Sequence, residues 1–94
     1  MMSKIPAKFE GLGKKELDNE ILRAAIIAEL DAINLYEQMA ALASDKNLKE
    51  ILLDVAKEEK THVGEFQALL LNRDKEQAKE LEAGREEVKE EVGE

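Results

Sequence analysis

Cysteine is absent from this sequence, histidine and proline occur once each, and glycine only five times in 94 residues. Without cysteine there is no disulfide framework, which accords with a cytoplasmic address. So few breakers, with aromatics at 3%, point to a helical protein. No stretch approaches the ~20 apolar residues of a membrane span, and the start "MMSKIPAKFEGLGKK" has no apolar core of a secretory signal. A basic surplus is also missing. Asp and Glu number 22 against 14 Lys and Arg, a net charge of −8, so there is no basic stripe for a nucleic acid, whereas cations are attracted. The abundance of Glu and Lys without Cys hints at a thermophilic source.

What is present fits one small domain. A chain this short buries a modest share of its surface and has no disulfide to staple it, so oligomerisation or a bound metal is expected. Residues 1–13 read as an N-terminal arm broken by Pro6, Gly11 and Gly13, with Phe9 and Leu12 available to dock. Residues 14–73 read as a helical hairpin. One helix runs from about Lys15 to Ala43, "SDKN" (Ser44–Asn47) is the turn, and a second runs from about Leu48 to Asn72. Gly64 inside the second helix costs about 1 kcal/mol against alanine, which is consistent with a close backbone approach. Residues 74–94 read as a short third helix, capped by Asp74 and interrupted at Gly84, that continues into a frayed acidic tail. A hairpin cannot cover both of its apolar stripes alone. Pairing with a second chain, to give a four-helix bundle, is the economical solution.

Polar residues intrude on these stripes at three places. The first helix places Leu22, Ile26, Glu29, Ile33, Tyr36 and Ala40 at alternating spacings of four and three, so Glu29 occupies a core position. On the second, Leu48, Leu52, Val55, Glu59, His62, Phe66 and Leu69 share a stripe. If the chain folds back at the middle of "SDKN", Glu29 lies level with His62, and Glu59 is less than a turn away at ~1.5 Å per residue. Buried unpaired, these groups would each cost several kcal/mol or take up protons. A divalent metal removes that cost, because carboxylate and imidazole are its ligands. Twofold pairing doubles the set to four carboxylates and two imidazoles, with which helical bundles hold a di-iron pair and balance its charge. Tyr36, two turns after Glu29, is either a group beside the metals or plain core.

Plainer readings compete. Glu-x-x-His in a glutamate-rich chain is a weak motif, a lone histidine is more often a hydrogen-bonded core residue, and Glu29 alone could pair with a lysine. Three such residues at core positions and one height are harder to obtain by accident. Lys49, Glu50, Asp54, Lys57 and Lys60 read as a solvated face, and Met39 and Phe66 as packing. A metal-stapled scaffold holding zinc or calcium, or an acidic interaction module, are the rival functions.

At "AELDAINLYEQM" and "KEEKTHVGEFQALLLN" the chain resembles the encapsulated ferritins, two-helix ferritin-like cargo of encapsulin nanocompartments. The resemblance covers about Leu17 to Leu71. It implies a ferroxidase with two irons at a dimer interface, one per chain on average, held by residues matching Glu29, Glu59 and His62 from both chains. Tyr36 matches a tyrosine beside that site. It implies dimers that assemble into an annular decamer, and a cytoplasmic protein enclosed by an encapsulin shell. Some relatives carry acids at both positions matching Ala28 and Asp31, a proposed metal-entry site; here only Asp31 is acidic. The end "GREEVKEEVGE" lacks the leucine- and glycine-containing targeting tail common in this cargo, and in some relatives the module precedes the shell protein within one polypeptide.

Overall fold

The computed structural model describes residues 13–94, so the expected docking of Phe9 and Leu12 lies outside the described residues. It is all-α: α1 spans Lys14–Leu42, α2 Lys46–Arg73 and α3 Lys75–Val92. Only Ala43, Ser44 and Asp45 separate α1 from α2, which forces the two to run antiparallel. The turn is shorter than "SDKN" implied, because Asp45 caps α2. Its carboxylate accepts the Leu48 N–H at 2.8 Å, so Lys46 and Asn47 are already helical. Asp45→Ala is expected to cost about 1 kcal/mol of stability, read as a lower denaturation midpoint with unchanged slope.

Asp74 alone separates α2 from α3. It accepts the Gln77 N–H at 2.9 Å as the N-cap of α3 and faces Arg23 of α1 at 3.5 Å, which fixes the elbow. The principal extents are 46 × 41 × 19 Å. A hairpin of two packed helices accounts for the long and the thin dimension, and the 41 Å breadth comes from α3 leaving it sideways. Two expectations for α3 are corrected. It is not interrupted at Gly84, and it runs as helix to Val92, with Gly93 at φ 78° closing it. Strong helix formers surround Gly84, and Arg85 reaches back to Glu82 at 3.0 Å, so one glycine's cost of about 1 kcal/mol is absorbed. Gly64 likewise shows no close approach: a Cβ there would meet nothing within 4 Å among the described residues.

The core of the single chain is thin. Its buried apolar residues are Leu22, Ala32, Ala40, Ala56 and Leu70, and no large side chain is fully buried among the described residues. Alanines at the α1–α2 seam let the axes approach but bury little area. Larger side chains stay exposed on both broad faces. One face carries Ile21 (45% exposed), Leu42 (85%), Ile51 (61%) and Leu69 (45%). The other carries Ile27, Leu30 and Leu53, each close to half exposed. No helix among the described residues is long and apolar enough to cross a membrane.

Candidate metal centre

Glu29 comes from the middle of α1, and Glu59 and His62 lie one turn apart on α2. The close hairpin turn sets the register between the helices, so the level drawn from the sequence becomes a contact. His62 Nδ1 lies 3.3 Å from Glu29 Oε2 and 3.6 Å from Glu59 Oε1. One ligand atom from each residue lies within 4.8 Å of the others, and no second cluster of this kind occurs among the described residues. A first-row ion with bonds of ~2.1 Å holds its ligands about 3–4 Å apart, so these separations suit a shared ion. The donor set of two carboxylates and one imidazole suits iron or another first-row cation.

The proton balance of the triad points the same way. Glu29 is pushed above the usual carboxylate range, first by a hydrogen bond with Glu59, then by burial and the neighbouring charge, with His62 pulling the other way. For His62 burial opposes protonation, but the carboxylates of Glu29, Glu59 and Glu65 outweigh it, so its pKa is raised. Glu29 and His62 both hold protons more tightly than usual, the response of a carboxylate-rich cluster whose negative charge no cation offsets. The Glu29 and Glu59 side chains are 20% and 17% exposed and that of His62 is 42% exposed, so the cluster opens outward.

The direction of that opening decides what the site can be. Ile51, His62 and Leu69 are spaced eleven and seven residues apart on α2, one helical stripe. The triad therefore opens onto the face that exposes Ile21, Leu42, Ile51 and Leu69, and an ion held by these three side chains would have its remaining positions on that side. Tyr36, half-buried, follows Glu29 by two turns along the seam, about 10 Å by the helical rise. Asp31 lies outside the cluster, roughly 200° around α1 from Glu29. Glu65, whose charge acts on His62, was not singled out from the sequence; its position one turn after His62 was the available signal.

The EncFtn-like family model matches residues 4–84. The chain belongs to the EncFtn-like family. This EncFtn-like chain is 70% identical over 80 residues to a ferritin-like–encapsulin shell fusion protein of Pyrococcus furiosus, a match covering 85% of the chain and 23% of that protein. It is 40% identical over 68 residues to the encapsulin nanocompartment cargo protein EncC of Myxococcus xanthus, covering 69% of the chain and 52% of that protein. The chain thus spans from about a quarter to half the length of these curated relatives. Its fold superposes on the crystal structure of the encapsulated ferritin domain from Pyrococcus furiosus with a TM-score of 0.85 at 58% identity, over 100% of this chain and 96% of that one. The ferritin-like helical fold expected from the sequence is the one found.

Proposed function

We propose that this EncFtn-like chain is a ferroxidase, which takes Fe(II) as substrate at a site completed by two copies and passes its electrons to dioxygen. The observation that carries the reading is the convergence of Glu29, Glu59 and His62 on one level, opening onto an uncovered apolar face. A second copy on that face would add the same three residues. Four carboxylates and two imidazoles then hold two irons, one per chain on average. Carboxylate oxygens favour the ferric product more than the ferrous substrate, and imidazole accepts both, which favours loss of an electron from each iron. Covering the face also excludes bulk water from the site and strengthens its electrostatics.

Tyr36 is assigned a place beside the irons, from the encapsulated-ferritin pattern and from its position two turns after Glu29, whereas Asp31 keeps only one of the two acids of that pattern's entry site and lies around α1 from the cluster. The relatives' names, one a shell fusion and one a nanocompartment cargo, support a further step: the chain works within an encapsulin compartment, where the shell retains the ferric product. Pairs of chains assembling into a larger ring, a decamer in the encapsulated-ferritin pattern, complete the reading.

Stopped-flow oxidation of Fe(II) in air at increasing iron-to-chain ratios tests it. The fast phase is expected to saturate near one iron per chain, the signature of a shared pair. Saturation near two irons per chain would mean each chain holds its own pair, and no fast phase would remove the ferroxidase assignment.

A further inference from the structure

His62 is the only histidine of the chain, and the two nitrogens of its ring have separate tasks. Nδ1 lies 3.3 Å from Glu29 Oε2 and 3.6 Å from Glu59 Oε1, so it is the nitrogen turned toward the place of an ion among the three side chains. A metal takes the lone pair of a neutral imidazole, which leaves the proton on the other nitrogen. On His62 that nitrogen is Nε2, and it forms no hydrogen bond among the described residues. In the open hairpin the side chain is 42% exposed and solvent can serve that N–H. Once a second copy covers this face, bulk water is gone and the N–H needs an acceptor of its own.

Two exposed carboxylates stand on the same side of α2 as His62: Glu58, four residues before it, and Glu65, three after it. They are not equivalent. Side chains on a helix lean toward its N-terminus, so each covers the turn before its own Cα. His62 leans back toward Glu59, as their 3.6 Å approach shows, and Glu65 leans back over His62. Glu58 leans away from both. The Glu65 carboxylate is also near enough for its charge to act on the ring. It makes no hydrogen bond or ion pair among the described residues, so nothing holds it elsewhere. In the open hairpin it is not in contact with Nε2, but an exposed glutamate changes rotamer within nanoseconds and can close that gap.

We propose, on the ferroxidase reading, that Glu65 is a positioning residue of the metal centre: its carboxylate accepts the Nε2–H of His62 and fixes the tautomer that aims the Nδ1 lone pair at the ion. A carboxylate behind a histidine ligand also makes the imidazole a stronger donor. Glu65 touches no iron itself. The bond belongs to the loaded state. Without metal, Nδ1 can hold the proton against Glu29 and Glu59, and Nε2 then has none to donate.

Zinc is the probe, because it is diamagnetic and air does not consume it. With isotopically labelled histidine, the single imidazole gives one pair of nitrogen signals. In the zinc-loaded protein the metal is expected on Nδ1, and the Nε2 proton is expected to exchange slowly with water. Glu65→Ala is expected to lose that protection and to bind zinc roughly 10- to 100-fold more weakly. Glu65→Gln, which loses the charge but keeps an acceptor oxygen, is expected to recover part of both. Glu58→Ala makes the same change in net charge and is expected to bind zinc as the wild type does, which separates a bond through the ring from a general loss of negative charge. Circular dichroism in EDTA is expected to be the same for all these proteins. Zinc on Nε2, wild-type affinity in Glu65→Ala, a Glu65→Gln as weak as Glu65→Ala, or an equal loss in Glu58→Ala overturns the proposal and leaves the metal centre in place. No zinc binding at His62 in the wild type removes the metal centre, and the proposal with it.

Discussion

Replacing Glu29, Glu59 or His62 by alanine is expected to abolish the fast phase of Fe(II) oxidation, a loss of at least about 100-fold. The scale follows from metal sites in general: changing a residue that merely supports a ligand costs 10–100-fold, and here a ligand itself is removed. In a site shared by two copies, each substitution also removes two of six donors. Stopped-flow absorbance reads the result, and wild-type rates in any of the three would sink the role assigned to that residue. Glu58→Ala is the control. Glu58 is exposed, neighbours Glu59 in sequence and lies outside the cluster, so its loss changes net charge without touching the site. Glu29→Gln separates function from folding. Glu59 and burial both disfavour the ionised form of Glu29, so a neutral amide of the same shape removes that cost. The variant is expected to melt at or above the wild-type temperature in chelator near pH 8 while remaining inactive, the pattern of a residue kept for chemistry at some cost in stability.

The site was legible in the sequence because it obeys the same geometry as the core. Glu29, Glu59 and His62 occupy inward positions of regular helices, and a hairpin turn a few residues long fixes which positions lie level. The observed turn, Ala43–Asp45, differs from "SDKN" at its edges, yet the midpoint moves so little that Glu29 still meets His62 at 3.3 Å. Helix ends and interruptions were less legible. They depend on individual caps and on small propensity differences that neighbours override: Asp45 recruits Lys46 and Asn47 into α2, and α3 carries Gly84 without a break. Lys49, Lys57 and Lys60, part of a row on α2, read in the sequence as a solvated face. Only the sideways path of α3 and a groove beside Leu53 give that row a shape, and neither the elbow at Asp74 nor the groove follows from periodicity. The two faces also differ in kind. Around His62 the uncovered surface is apolar with a carboxylate–imidazole cluster at its centre. Around Leu53 it is basic with an apolar slot.

Adding divalent metal to chelator-stripped protein is expected to raise its melting temperature and to reverse the sign of its pH dependence. In the metal-free protein Glu29 and His62 both bind their protons more tightly than their ordinary values of 4.5 and 6.5. A raised pKa in the folded state means that folding takes up protons. The stability this contributes is fully present below the ordinary value and is lost as pH rises through the folded value. Glu29 therefore contributes its loss above pH 4.5 and His62 its loss above pH 6.5, so the stripped protein melts lower at pH 8 than at pH 5.5. The slope is shallow, because a His62 side chain 42% exposed is partly screened by solvent. Metal competes with those same protons, so its affinity rises across the same window. Free metal at 100 times its dissociation constant stabilises the folded form by about 2.7 kcal/mol, which outweighs the proton effect and makes the loaded protein melt higher at pH 8 than at pH 5.5. Zinc or manganese serves for the measurement, since neither is consumed by air as Fe(II) is. If the ion is shared between two copies as proposed, the same titration converts the stripped protein into larger species, visible by sedimentation. A melting temperature that falls with pH as steeply with metal as without would mean that the ion binds elsewhere than among the groups carrying those protons.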